Sequence, residues 1–240
     1  MPKPEPLSDA EYLKEINLLS TEIDNGGIVY HMHEELNHLT LEDEDARDTI
    51  NMDALFWLAH RHSLQATLFI TLGRIFDSDQ DNYSIQRLLT ATLANIHIFA
   101  RDALEKRKLS LNPGPRPYWL DDYLNNSWYP SEPNDLRFLK KAIAPYQSRF
   151  EAIYRPIRHT IAYRIMREDE AGEKYFGKTN REEVRKLIDF LSDLVGVLTN
   201  LYWNGHKPEH GQRDFAEQNQ RIRDGVQSVV RKLVRGRQAA

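Results

Sequence analysis

The chain has no cysteine among its 240 residues. That excludes a disulfide framework, a thiol nucleophile, Cys-ligated zinc and iron–sulfur chemistry together. Excess positive charge is missing as well: 32 Lys+Arg stand against 36 Asp+Glu, a formal net charge of −4 with a pI near 6.2. A protein that held nucleic acid by charge alone would usually be clearly basic. Long hydrophobic runs are absent too. The longest nearly uncharged apolar stretch, Leu64 to Gly73, is about half of a ~20-residue membrane span. The opening MPKPEPLSDAEYLKEI holds no apolar core of the secretory kind. A soluble cytoplasmic chain with no membrane partner is the expectation.

What is present is enough to fold. Apolar residues make up 40% and charged residues 28%, too apolar for disorder. The length fits one large domain or two small ones, and a single helical domain over 1–240 is expected, with its core at about 8–202. Charge is uneven along it. From Arg221 onward, Arg221, Arg223, Arg231, Lys232, Arg235 and Arg237 face the single acid Asp224, while Glu42, Asp43, Glu44, Asp45 and Asp48 form an acidic counterweight. Both fit solvated helix ends and loops; a basic tail also suits a supplementary RNA or partner contact.

Helical signals dominate. Ser8-Asp9-Ala10-Glu11 has capping-box spacing, followed by Leu13, Ile16, Leu19 and Ile23 on one face. Gly26-Gly27 should weaken or break that helix. Met52 to Phe76 is apolar nearly all round, the pattern of a helix central to a bundle. Ser84 opens a shorter helical run, and another spans about Ile96 to Lys108. Between 109 and 133 lie five prolines with Trp119 and Trp128, which predicts an ordered, non-helical insertion. A long segment from Asp135 to about Met166 should be kinked or split at Pro145 and Pro156. Thr179-Asn180 starts the next helix and Asn204-Gly205 stops it, and a basic helix covers about 212–236. No period-2 alternation persists. The fold class is all-α.

Several motifs fail on spacing. Asp77-x-Asp79-x-Asp81 imitates a calcium loop, but Asn82 replaces the required Gly and Leu88 the bidentate Glu. His33-Glu34 is followed by Asn37 where a zinc helix needs its second His. The pairs His31/His33 and His60/His62 sit two apart and face different sides of a helix. His206 and His210 flank Pro208 in a turn. No nucleophile elbow, phosphate-binding Gly-rich loop or dinucleotide fingerprint occurs. No metal or cofactor is called for.

What remains is Tyr154-Arg-Pro-Ile-Arg-His-Thr-Ile-Ala-Tyr-Arg164. It resembles the motif of the HEPN superfamily, an Arg and a polar residue, spacers, then a His. The resemblance is strongest to the AbiU-type abortive-infection branch. Leu72-Gly-Arg74-Ile-Phe76-Asp77-Ser-Asp79, then Ser84-Ile-Gln-Arg-Leu88-Leu89, with Trp57 upstream, follow that branch's order. The likeness covers Ile16 to about Tyr202. It implies a HEPN-like helical bundle, a metal-independent ribonuclease site at a homodimer seam, and a role in phage defence. In that picture Arg stabilises phosphorane charge while His moves a proton as the RNA 2′-hydroxyl attacks its own phosphate.

Aligned on Arg158 and Arg164, the family's histidine falls on Tyr163, and His159 takes the polar position beside Arg158. Arg158, His159 and Tyr163 are thus the candidate catalytic residues, with Arg155 and Arg164 as RNA ligands. Tyr, with an ordinary pKa of about 10, is a poor base at neutral pH but donates a hydrogen bond. His159 has a suitable pKa yet lies about 100° round the helix from Arg158. Arg155 and His159, four apart, share a face, at a spacing shorter than the family's. Structural roles stand beside these: an ion pair for Arg158, packing for Tyr163, and bracing of a helix end for Arg74 and Asp77. The alternative function is a catalytically silent protein-interaction module that uses the insertion and the basic tail.

Overall fold

Helix α1, Asp9–Glu42, begins at the cap that the sequence marks. The Ser8 backbone N–H donates to Glu11 Oε2 at 2.8 Å, and the Glu11 N–H donates back to Ser8 Oγ at 3.3 Å. This computed structural model describes residues 7–77, 83–155, 180–209 and 216–238. After α1 come α2 (Glu44–Met52), α3 (Ala54–Ile75), α4 (Ile85–Ala94), α5 (Arg101–Leu111), α6 (Leu120–Asn126), α7 (Arg137–Arg149), α8 (Arg181–Asn204) and α9 (Ala216–Gln238). Short 3-10 turns cover Ile96–Phe99 and Pro133–Leu136, and a π-helical turn covers Phe150–Tyr154. Every regular element among the described residues is helical, as the periodicity requires. None of these helices is long and apolar enough to cross a membrane.

The chain divides into two compact units. The first comprises Met1–Thr21, Arg74–Phe150 and Phe190–Arg213. Its centre is Tyr12, fully buried, with its ring 5.5 Å edge-on to Phe99 and 5.8 Å from Tyr202. Thr92 Oγ1 donates to the Leu88 carbonyl, so the Tyr12 hydroxyl donates to Thr92, 2.8 Å away. Burial raises the Tyr12 pKa and keeps the phenol neutral. Two buried charges are paired. Glu15 accepts from Arg87 at 2.9 Å, and Arg107 donates to Asp9 at 2.9 Å while stacking 4.1 Å over the Tyr202 ring.

The Pro- and Trp-rich insertion is ordered and, against expectation, contains a helix. Leu120 and Leu124 of α6 are fully buried against Leu104, with Trp119, Tyr123 and Tyr129 around them. Tyr123 donates its hydroxyl to the Asn204 carbonyl at 3.0 Å, and the Trp128 N–H donates to the Gly205 carbonyl at 2.7 Å. Prolines flank the helix without entering it, which is why it survives. Tyr118 takes no part and is 96% exposed. Pro145 lies inside α7 without ending it, and the π-turn follows one turn later.

The second unit comprises Glu22–Gly73, Glu151–Asp189 and Asp214–Ala240. Leu36, Leu39, Ala46, Ile50, Trp57 and Leu64 pack with Val226 and Val230 of α9. The expected break at Gly26-Gly27 does not occur. Two glycines cost a helix only about 1 kcal/mol each, and burial of its neighbours over 34 residues outweighs that. The picture of α3 as a helix buried all round also needs correction. Leu64, Leu68, Phe69 and Leu72 are buried, but Met52, Leu55, Phe56 and Leu58 are exposed, Leu55 to 84%.

The two glycine positions, one inside α1 and one at the end of α8, predict opposite responses. A Cβ at Gly27 would lie 3.5 Å from Ile188 Cγ2, an ordinary contact. Gly27→Ala should raise stability by about 0.5–1 kcal/mol, read as a higher urea midpoint at constant slope. Gly205 instead ends α8 at φ +60°, and a Cβ there would lie 2.8 Å from both Leu104 Cδ2 and Ser127 Cβ. Gly205→Ala should lower stability by about 2 kcal/mol or more.

His31 on α1 is 1% exposed, and its Nδ1 has no hydrogen-bond partner among the described residues. Burial lowers its pKa to about 4, the Arg223 and Arg185 charges push the same way, and Glu34 opposes them. The unfolded chain, with His near 6.5, therefore takes up this proton before the native state does. The His31 contribution to stability is complete above pH ~6.5 and is lost as pH falls toward about 4. Thermal midpoints measured across that window should fall with acidification, and less steeply in His31→Phe. An identical slope in the variant would remove His31 as the cause.

Candidate functional site

Tyr30, His33, Glu34 and Asn37 recur at i, i+3, i+4 and i+7 on α1, so they form one stripe. Leu58, Arg61, His62 and Gln65 repeat the same spacing on α3. Within the second unit these two stripes, with Leu68, Phe69, Arg181 and Val184, line a cavity of about 470 Å³. Leu68, Phe69, Val184 and Tyr30 are its buried apolar part. The polar groups comprise two imidazoles, two amides and one carboxylate against two guanidiniums. A cavity of this size and mixed lining suits a small organic ligand or one unit of a polymer.

The guanidiniums mark different stations along α1. Arg61 Nη2 donates to the Leu36 carbonyl at 3.3 Å and to Thr40 Oγ1. Its other N–H groups have no partner among the described residues. Burial lowers its pKa somewhat, which leaves an arginine charged at any physiological pH. Arg181 stands beside Tyr30, whose hydroxyl donates to the Arg181 carbonyl at 2.9 Å. Its Nε lies 3.6 Å from Glu34 Oε1, the oxygen that is also 3.6 Å from His33 Nδ1. His33 Nδ1 lies 3.2 Å from Asn37 Nδ2. An amide nitrogen only donates, so this contact makes Nδ1 the acceptor and puts the proton of a neutral His33 on Nε2.

This cavity was not among the sites expected from the sequence. His33 and His62 were set aside because neither chelates with its neighbour two residues away. Tertiary packing uses one histidine from each pair instead. The signal that could have found it is the run of polar residues at i+3, i+4 and i+7 on both α1 and α3.

Of the residues singled out by sequence, Arg155 is described. It follows the π-turn, and its Nη1 lies 2.6 Å from Glu151 Oε2, with both side chains open to solvent. Arg158, His159, Tyr163 and Arg164 lie outside the described residues. The Asp77 backbone N–H donates to the Arg74 carbonyl at 3.3 Å where α3 ends. On α9, Arg231, Lys232 and Arg235 line a shallow groove with Asp224, Gln227 and Ser228.

An all-α chain with an Arg-rich segment between α7 and α8 is the class of molecule on view. The model of a family described as AbiU2, of the HEPN type, matches residues 11–226, and the chain belongs to that family. The match takes in both stripes of the cavity and the whole of Tyr154–Arg164. Neither the search of curated proteins nor that of solved structures returned a match.

The Arg155–Glu151 pair is solvent-exposed and four residues apart, so Arg155→Ala should change stability by less than about 0.5 kcal/mol. Urea denaturation would check this. A larger loss would show a bracing role for Arg155 and disqualify the variant as a probe of RNA contact.

Proposed function

We propose that this protein is an RNA-directed effector of prokaryotic phage defence that cleaves, or holds, RNA without a metal. The observation that carries the reading is the family match across 11–226, which includes the segment with Arg155, Arg158, His159, Tyr163 and Arg164. In the reaction, the RNA 2′-hydroxyl attacks the adjacent phosphorus. A 2′,3′-cyclic phosphate forms, the bond to the 5′-oxygen breaks, and the departing oxygen takes up a proton. Arg158 stabilises the phosphorane charge. His159 moves the proton, Tyr163 donates a hydrogen bond, and Arg155 and Arg164 hold neighbouring phosphates.

Two copies acting together fit this reading. Met52 at the end of α2 and Leu55 and Phe56 at the start of α3 present exposed apolar side chains, the kind of surface that self-association covers. Light scattering at micromolar concentration should give a mass of about twice 28.1 kDa. A 28.1 kDa particle would contradict a shared site.

The chemistry has its own test. Cleavage should persist in EDTA and leave cyclic phosphate ends. Arg158→Ala should cost about 2–4 kcal/mol in kcat/KM, the scale for removing one preorganised donor from a developing anion. Wild-type behaviour in Arg158→Ala, His159→Ala and Tyr163→Phe alike would leave the second reading, a silent interaction module. Tyr at position 163, where the family carries His, favours that reading. Tyr163→His separates the two: gained cleavage or toxicity supports a site with its proton carrier replaced.

A further inference from the structure

The cavity between the stripes of α1 and α3 has a polarity that the proposed chemistry at Arg158 does not use. Arg181 is tied to the level of Tyr30 and Glu34 on α1, and Arg61 to the level of Leu36 and Thr40. From Tyr30 to Asn37 the helix rises roughly 10 Å at 1.5 Å per residue. Two cationic forks, held at different levels of α1, therefore serve a single cavity. The same cavity is lined by the apolar side chains of Leu68 and Phe69, the amides of Asn37 and Gln65, the carboxylate of Glu34 and two imidazoles.

A free nucleotide offers anionic phosphate on one side only. A nucleotide inside a strand carries a phosphodiester on both sides of its sugar, with a flat base between them. The lining offers a partner to each of these parts. Guanidiniums take phosphate oxygens, amides and a carboxylate read the donors and acceptors of a base edge, and the apolar surface receives the base face. A duplex would keep the base edge paired and inaccessible. Glu34 sits poorly against a phosphate and well against an exocyclic amine.

We infer that this cavity is a binding subsite for one internal nucleotide of single-stranded RNA, with Arg61 and Arg181 each holding a flanking phosphate. The inference rests on the RNA reading above and adds where the strand is gripped. Arg61 is half-buried and fixed by Leu36 and Thr40, so its fork is pre-positioned. Arg181 is exposed and is drawn from Glu34 to the phosphate when the strand arrives.

The test uses the full-length protein, a fluorescein-labelled ten-residue single-stranded RNA and fluorescence anisotropy over a salt series. Arg181→Gln and Arg61→Gln should each weaken binding about tenfold, the scale of one charge-assisted contact. Each should also reduce the slope of log K against log salt by about 0.7, the value for one phosphate contact on a single strand. Adenosine monophosphate and a duplex of the same sequence should compete poorly. Arg181 is an exposed side chain, so Arg181→Gln carries the test if Arg61→Gln misfolds. RNA binding that both folded variants retain at full strength and slope overturns the subsite and leaves the RNA reading intact. Absence of RNA binding by the wild-type chain overturns both. Equal competition by the mononucleotide overturns the two-phosphate assignment.

Discussion

The constraint on which both units depend is that α1 buries polar groups along its length. An unpaired donor or charge in the interior is costly, so most of these groups are paired, His31 Nδ1 being an exception among the described residues. In the first unit Tyr12 finds Thr92, Glu15 finds Arg87, and Asp9 holds the buried Arg107. In the second, Tyr30 bonds the Arg181 carbonyl, Glu35 accepts from Gln227 at 2.8 Å, and the Leu36–Thr40 turn holds Arg61. Leucine stripes alone would let neighbouring helices slide or rotate at little cost. These pairings fix which turn of each partner helix meets which turn of α1.

The cavity follows from the same constraint. The Tyr30 bond sets Arg181 at one level of α1, and the Arg61 bond sets the other guanidinium lower down. His33, Glu34 and Asn37 line the cavity along the same stretch of α1. Sites built on helices hold their side chains more precisely than sites built on loops. The structural bonds of Tyr30 and Arg61 thereby set the geometry of a surface suited to recognition.

Local chemistry was legible in the sequence and long-range chemistry was not. Ser8 with Glu11, Ser84 with the Arg87 N–H, and Gly205 at positive φ all stand where the residue types indicate, because a cap is decided within four residues. Gly26-Gly27 misled because propensity is a small local term that packing outweighs over a long helix. The first turns of α3 misled because a count of apolar residues says nothing of how many faces have partners. The cavity escaped for a third reason. His33 and His62 are 29 positions apart, and only packing shows that one member of each rejected pair lines the same space. The AbiU2 family, by contrast, was readable from motif order, since that signal is spread over several short segments of the chain and does not hang on one residue.

The central claim is that this HEPN AbiU2 chain grips single-stranded RNA at the α1–α3 cavity. Photo-crosslinking of 4-thiouridine-substituted single-stranded RNA to the full-length protein, with adducts mapped by mass spectrometry, tests it most directly. Adducts are expected on Tyr30, His33 or His62 and on the 154–164 segment. Adducts confined to the basic face of α9, or none at all under conditions that label a control RNA-binding protein, would contradict it.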